Sequence, residues 1–152
     1  YAFLTLIIIF HDIAFHPKDD LHEQSSANIW MEFCECVGIP PAVALKGYHL
    51  ILGTMDHVSY DFLSTLLYDA DLEIYSMGDY RYQEYISNLR KEYIHLTDLE
   101  WNRTRAVELE LLLARKAIYV AEDTFDFEEV TARENIKDEL AKLNNAVPLV
   151  SV

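Results

Sequence analysis

An irregular all-α bundle of about seven helices is predicted by three observations. Apolar residues make up 51 % of the chain and recur at three- and four-residue spacing in almost every stretch. Only four Gly and four Pro interrupt 152 residues. No segment alternates apolar and polar residues convincingly, as a half-buried strand would. That length has room for one ordinary domain, and no repeat, low-complexity tract or Pro/Gly/Ser linker divides it, so residues 1–152 are expected to form a single helical domain.

The first helix is predicted from the start to Phe15, stopped by Pro17, with turn formers Asp19 and Asp20 in the loop that follows. The second covers Glu23–Val37, with Ala27, Trp30, Met31, Cys34 and Val37 as one buried stripe and Gly38 as its stop. Pro40-Pro41 opens a third, over Ala42–Leu52, where a missing N–H costs nothing. Asp61, Phe62, Leu63, Leu66 and Leu67 start a fourth, which carries Asp69 and Asp71 before Gly78. Asp79 is the expected cap of a fifth helix with Tyr82, Tyr85, Ile86, Leu89 and Tyr93. Thr97-Asp98-Leu99-Glu100 reads as a capping box opening a long helix through Val107, Leu111, Leu112 and Ile118. The last runs over Asp126–Asn144, with Val130, Ile136, Leu140 and Leu143 at helical spacing.

Composition excludes several functions. Neither G-x-x-x-x-G-K-[ST] nor G-x-G-x-x-G can be written from these glycines. A net charge of −14 repels a phosphate backbone, so nucleic-acid binding is not expected. Cys34 and Cys36 lie about 200° apart around a helix and read as small buried apolar groups, in keeping with a reducing, cytoplasmic compartment. The apolar run at residues 1–10 has no basic flank and half the length of a membrane span, so it reads as a core helix and no membrane partner is expected. The chain opens on Tyr1 inside that run, which suggests a preceding segment. Tyrosines and leucines beyond the needs of the core leave room for a homo-oligomer surface.

The chemistry-bearing residues are few. His11-Asp12 closes a very apolar helix, where burying imidazole and carboxylate together is costly unless both are satisfied. A divalent metal satisfies both, since imidazole nitrogen and carboxylate oxygen are ligands for first-row ions; the plain alternative is a histidine and an aspartate at a helix end. Asp69 and Asp71 face opposite ways on a helix, so one of the two can reach a shared ion; the plain alternative is an interrupted helix with Asp69 or Asp71 as an N-cap. His57, after Gly53-Thr54-Met55-Asp56, is a candidate for orienting a ligand or contacting phosphate, or a surface histidine. His16, His22, His49 and His95 lack partners at ligand spacing, and there is no H-E-x-x-H, C-x-x-C or G-x-S-x-G. Among the scarce cations, an inward Arg suits a phosphate or a buried carboxylate such as Glu92.

The ordered set Phe10-His11-Asp12-Ile13-Ala14-Phe15, Glu23, Ser26-Ala27, Thr54, His57 and Asp69-Ala70-Asp71-Leu72 resembles the metal-dependent phosphohydrolases of the HD superfamily. Tyr85, Arg90-Lys91-Glu92-Tyr93, Trp101, Arg105, Ala114–Tyr119, Ala132-Arg133-Glu134-Asn135 and Glu139 continue the likeness to about Leu143. The resemblance implies an all-α fold in which His11, Asp12 and one of Asp69 and Asp71 bind a divalent ion (Mn, Mg, Fe or Zn). The reaction implied is hydrolysis of a small phosphorylated molecule, a nucleotide among the candidates. Asp12, Glu23 and His57 would then serve catalysis, and Arg90 or Arg105 would bind substrate phosphate or form structural pairs. The family's first metal histidine precedes the HD pair, and residues 1–10 contain none. The alternative is therefore a catalytically degenerate module that keeps the fold and binds a partner.

Overall fold

The computed structural model describes residues 2–19, 21–121 and 126–146. Tyr1 and Asp20, the latter one of the expected turn formers, lie outside them. The described residues contain seven α-helices and no strand: α1 Ala2–Phe10, α2 His22–Val37, α3 Pro41–Leu52, α4 Phe62–Asp71, α5 Asp79–Glu92, α6 Asp98–Ala114 and α7 Asp126–Ala146. Short 3-10 turns follow α3 and α4, at Gly53–Met55 and Glu73–Ser76. No helix among the described residues is long and apolar enough to cross a membrane. The chain divides into two compact units, Tyr1–Asp71 and Leu72–Val152, with no linker composition at the division.

The first unit is organised around Trp30 of α2, which is fully buried among Phe3, Phe10 and Phe33. Its indole N–H donates to the Ala44 carbonyl of α3 at 2.7 Å, so the polar end of the ring is satisfied inside the core. Gly38 takes the left-handed conformation (φ 74°) that ends α2, and the Ile39 N–H donates back to Cys34. Pro41 sits at the first position of α3, as its missing N–H permits. Two positions expected inside face solvent instead: Val37, at the last turn of α2, and Cys36, whose place on the helix is opposite the buried Cys34.

α3 and α2 approach closely at Gly47, where a Cβ would lie 2.5 Å from the Trp30 indole and 2.7 Å from Ile7. Alanine is the better helix former by about 1 kcal/mol, but here it would have to push aside a buried ring. Gly47→Ala is expected to destabilise the protein by about 1–3 kcal/mol in urea denaturation, the usual cost of overpacking. A stability equal to or above wild type would show that the two helices can separate freely.

α1 ends at Phe10, five residues before the predicted end. The Ile13 and Phe15 N–H groups turn back on Phe10 and Asp12, and the Ala14 N–H donates to the Ser26 hydroxyl at 3.1 Å. The helix stops here because its last carbonyls find other donors, a point that positions His11.

The second unit is built on Tyr75, Tyr82, Leu109, Leu112, Ile118, Tyr119 and Ile136. The capping box of α6 is present: the Glu100 N–H donates to the Thr97 hydroxyl, and the Thr97 N–H donates to the Glu100 carboxylate at 2.8 Å. α6 stops at Ala114, short of Ile118, and it buries Trp101, Arg105, Leu109 and Leu112, leaving the expected Val107 and Leu111 exposed. Leucines surround this helix on all sides, so spacing alone selects no face. Val130 of α7 is likewise exposed. Gly78, not Asp79, occupies the cap position of α5. Arg133 and Glu129 of α7 tie down the segment after α6. The guanidinium donates to the Leu113 and Arg115 carbonyls at 3.0 and 2.9 Å, and the carboxylate accepts from the Ile118 and Tyr119 N–H groups.

Candidate metal centre

The early end of α1 leaves the Ile8 carbonyl without a helical donor, and the His11 ring takes it, Nδ1 to oxygen at 2.8 Å. A carbonyl only accepts, so Nδ1 carries a proton and Nε2 of a neutral ring presents its lone pair. That nitrogen lies 3.1 Å from Asp71 Oδ1 and 3.4 Å from Asp12 Oδ2. Three lone-pair donors therefore converge, all within 4.8 Å of one another. Such a cluster is stable only with positive charge in it: a proton on Nε2, or a cation among the three atoms.

The donor set suits an ion. Nitrogen from one imidazole and oxygen from two carboxylates match first-row divalent metals and magnesium. Neighbouring ligand atoms around an octahedral ion at ~2.1 Å stand about 3 Å apart, close to the two separations seen here. The Asp12 side chain is 53 % exposed, so the cluster has a solvent side on which further ligands could enter.

Asp71 is held from its other oxygen. His57 Nε2 donates to Oδ2 at 2.8 Å, which fixes the carboxylate so that Oδ1 faces His11. His57 reaches this position through a left-handed backbone, φ 55°, with its N–H donating to the Gly53 carbonyl at the start of the 3-10 turn. Histidine is among the residues that tolerate this conformation best. Its ring also packs edge-on against Tyr68, whose hydroxyl lies so close to Gly53 that any side chain there would collide with it.

The charges show in the protonation equilibria. Burial lowers the His11 pKa, but the Asp71 hydrogen bond and the charges of Asp12 and Asp71 outweigh it and raise the group from 6.5 to about 9. Burial pushes Asp71 up, yet the hydrogen bonds from His11 and His57 hold its carboxyl well below the usual carboxylate range. Asp12 is shifted up, by desolvation first and by the Asp71 charge in addition, against the pull of His11.

Of the predicted site residues, His11, Asp12 and Asp71 are thus brought together, with His57 behind Asp71. Asp69, two residues from Asp71 on α4, is not in the cluster. Glu23 pairs with His22 at 3.0 Å, and His22 Nδ1 donates to the Asp19 carbonyl. Spacing alone offers His22 no partner, although the adjacent Glu23 carboxylate is visible in the chain. Arg90 and Arg105 belong to the second unit. Arg90 donates to the Tyr93 and Leu96 carbonyls and to Asp98. Arg105 is 1 % exposed and is gripped by Glu139, Glu108 and Tyr75, the surroundings of a structural ion pair rather than of a phosphate-binding arm. Its buried partner is Glu139; Glu92 is exposed. Comparison of the chain with protein-family models, curated proteins and solved structures finds no match.

Proposed function

We propose that His11, Asp12 and Asp71 hold a divalent cation and that the protein is a metal-dependent phosphohydrolase of the HD type, acting on a small phosphorylated molecule. The observation that carries this reading is the convergence of the His11 nitrogen with two carboxylate oxygens at ligand spacing. The order of residues from His11 to Glu139 supports it through the resemblance described above.

A bound divalent ion would supply Lewis-acid polarisation of the phosphoryl oxygens and a water acidic enough to be used as hydroxide near neutral pH. The chain's own groups do the rest. Ile8 holds the His11 ring so that Nε2 points inward, and His57 holds Asp71 so that Oδ1 does the same. Asp12 lies on the open side and is the carboxylate able to accept a proton from an attacking water. Glu23, beside His22, contributes charge at Asp12 and so tunes its basicity. The reading it competes with is a binding module without turnover, in which His11, Asp71 and His57 form a structural triad; the fact that each oxygen of Asp71 has an imidazole partner favours this second reading.

Phosphate release from a panel of nucleotides and phosphomonoesters, with Mn²⁺ present, separates the two. Wild-type protein is expected to release phosphate only with the metal, and Asp12→Ala to lose at least about a hundredfold of that rate, within the range ascribed to general acid–base groups. Equal release by both proteins removes Asp12 from the mechanism, and Mn²⁺ binding without release leaves the binding module.

A further inference from the structure

A groove of about 690 Å³ opens in the first unit, with walls that include Lys46, His49, Leu52, Val58, Tyr60 and Tyr68. None of His11, Asp12, His57 and Asp71 lines it, but its lining adjoins the candidate centre along the chain. Asp56 and Val58 line the groove, and between them stands His57, the residue that holds Asp71. Tyr68 also belongs to both, as part of the groove wall and as the ring packed on His57 at 5.6 Å.

The groove has the size and make-up of a small-molecule site, mostly apolar with a few polar groups. Tyr68 is 1 % exposed and forms a fixed wall, whereas Tyr60 leaves 60 % of its surface open. Lys46 and His49 stand one turn apart on α3. Residues 1–71 contain ten Asp and Glu but only two basic residues of the Lys/Arg kind, Lys18 and Lys46, so the groove has one of the unit's two permanent positive charges. Asp61 at 3.1 Å takes one of the three donors of Lys46 and leaves two.

From this placement we propose that the groove is the specificity subsite of the enzyme and seats a planar aromatic group carried by the phosphate ester, an aryl ring or a nucleobase, against Tyr60. Lys46 and His49 supply its polar contacts. The inference rests on the phosphohydrolase reading for its role in catalysis, but the binding it describes does not need the metal.

The test is equilibrium binding to the full chain, without Mn²⁺ so that no ester is hydrolysed, of phenyl phosphate, adenosine 5′-monophosphate, glycerol 3-phosphate and adenosine, with Mn²⁺ affinity measured separately. The aromatic phosphates are expected to bind about tenfold more tightly than glycerol 3-phosphate, the factor that one ring-on-ring contact supplies. Tyr60→Ala, at an exposed position, should erase that preference while leaving Mn²⁺ affinity and glycerol 3-phosphate binding unchanged. Adenosine should bind without Mn²⁺ and lose affinity in the same variant. Stronger binding of adenosine 5′-monophosphate than of phenyl phosphate assigns the groove to a nucleobase, and the reverse assigns it to an aryl ring. Equal binding of aromatic and aliphatic phosphates, or an unchanged preference in Tyr60→Ala, overturns the subsite. Failure of wild-type protein to bind Mn²⁺ overturns the phosphohydrolase reading instead, and the adenosine measurement still decides the groove.

Discussion

Asp71→Asn is expected to lower Mn²⁺ affinity by more than about a hundredfold, the upper figure for losing a group that merely supports a metal ligand, and to take metal-dependent phosphate release with it. The substitution keeps the shape of the side chain and removes its charge. It also places an amide N–H₂ opposite one of two imidazole nitrogens that now face carboxylate oxygens at 3.1 and 2.8 Å. Titration calorimetry of wild type and variant reads the change directly. Unaltered affinity would mean that Asp71 is no ligand.

The same variant reports the electrostatics of the metal-free protein. A histidine raised to about 9 binds its proton more tightly when folded, so its contribution is complete below about pH 6.5 and is lost as the pH rises through 9. A lowered carboxylate works in the opposite sense: the Asp71 contribution is complete above its ordinary value of 3.8 and fades as the solution is acidified below that. The His11–Asp71 hydrogen bond enters both shifts, with Asp12 adding to the first and His57 to the second. In a chelator, the melting temperature is therefore expected to be highest between about pH 4 and 6.5 and to fall toward pH 9.5. In Asp71→Asn that slope should flatten. A slope of equal size in the variant would place its origin elsewhere.

Arg105→Met is expected to cost about 3–5 kcal/mol, the price of leaving a buried carboxylate without its counter-ion. Glu139 is 3 % exposed, and its carboxylate accepts two bonds from the Arg105 guanidinium and one from the Tyr82 hydroxyl. Burial and the Glu139 carboxylate both hold that tyrosine in its neutral, donating form. The ring faces of Tyr75 and Tyr85 lie 5.6 and 5.7 Å from the guanidinium, so the cation is enclosed by aromatic surface as well. Methionine fills similar volume, which confines the change to charge and hydrogen bonding. The double variant Arg105→Met with Glu139→Leu should recover most of the loss, because it removes both ions rather than one. Urea denaturation of the three proteins gives the comparison, and a double variant no more stable than the single one would show that packing, not charge, governs the site.

The helices were largely legible in the chain because their signals are local. Thr97 and Glu100 close a box over three residues, Gly38 supplies a left-handed stop, and Pro41 sits where no N–H is needed. The His11-Asp12 pair was legible for a similar reason, as two costly side chains at the end of an apolar run. The end of α1 was not, since Ser26 accepts the Ala14 N–H from another helix. Nor was the exposed side of α6, where leucines on every face leave the choice to its neighbours.

What the amino-acid order determined by itself is an all-α protein with a histidine–aspartate pair at the end of its first helix and a choice of two later carboxylates. Tertiary structure alone chose Asp71 over Asp69, because that choice depends on how α4 rotates against α1 across 60 residues of chain. It also made His57 the second holder of Asp71, through a backbone turn that no spacing rule announces, and gave Arg105 a partner 34 residues away. Local hydrogen-bond geometry is written in neighbouring residues; the meeting of distant side chains is decided by packing, and packing is a property of the folded chain.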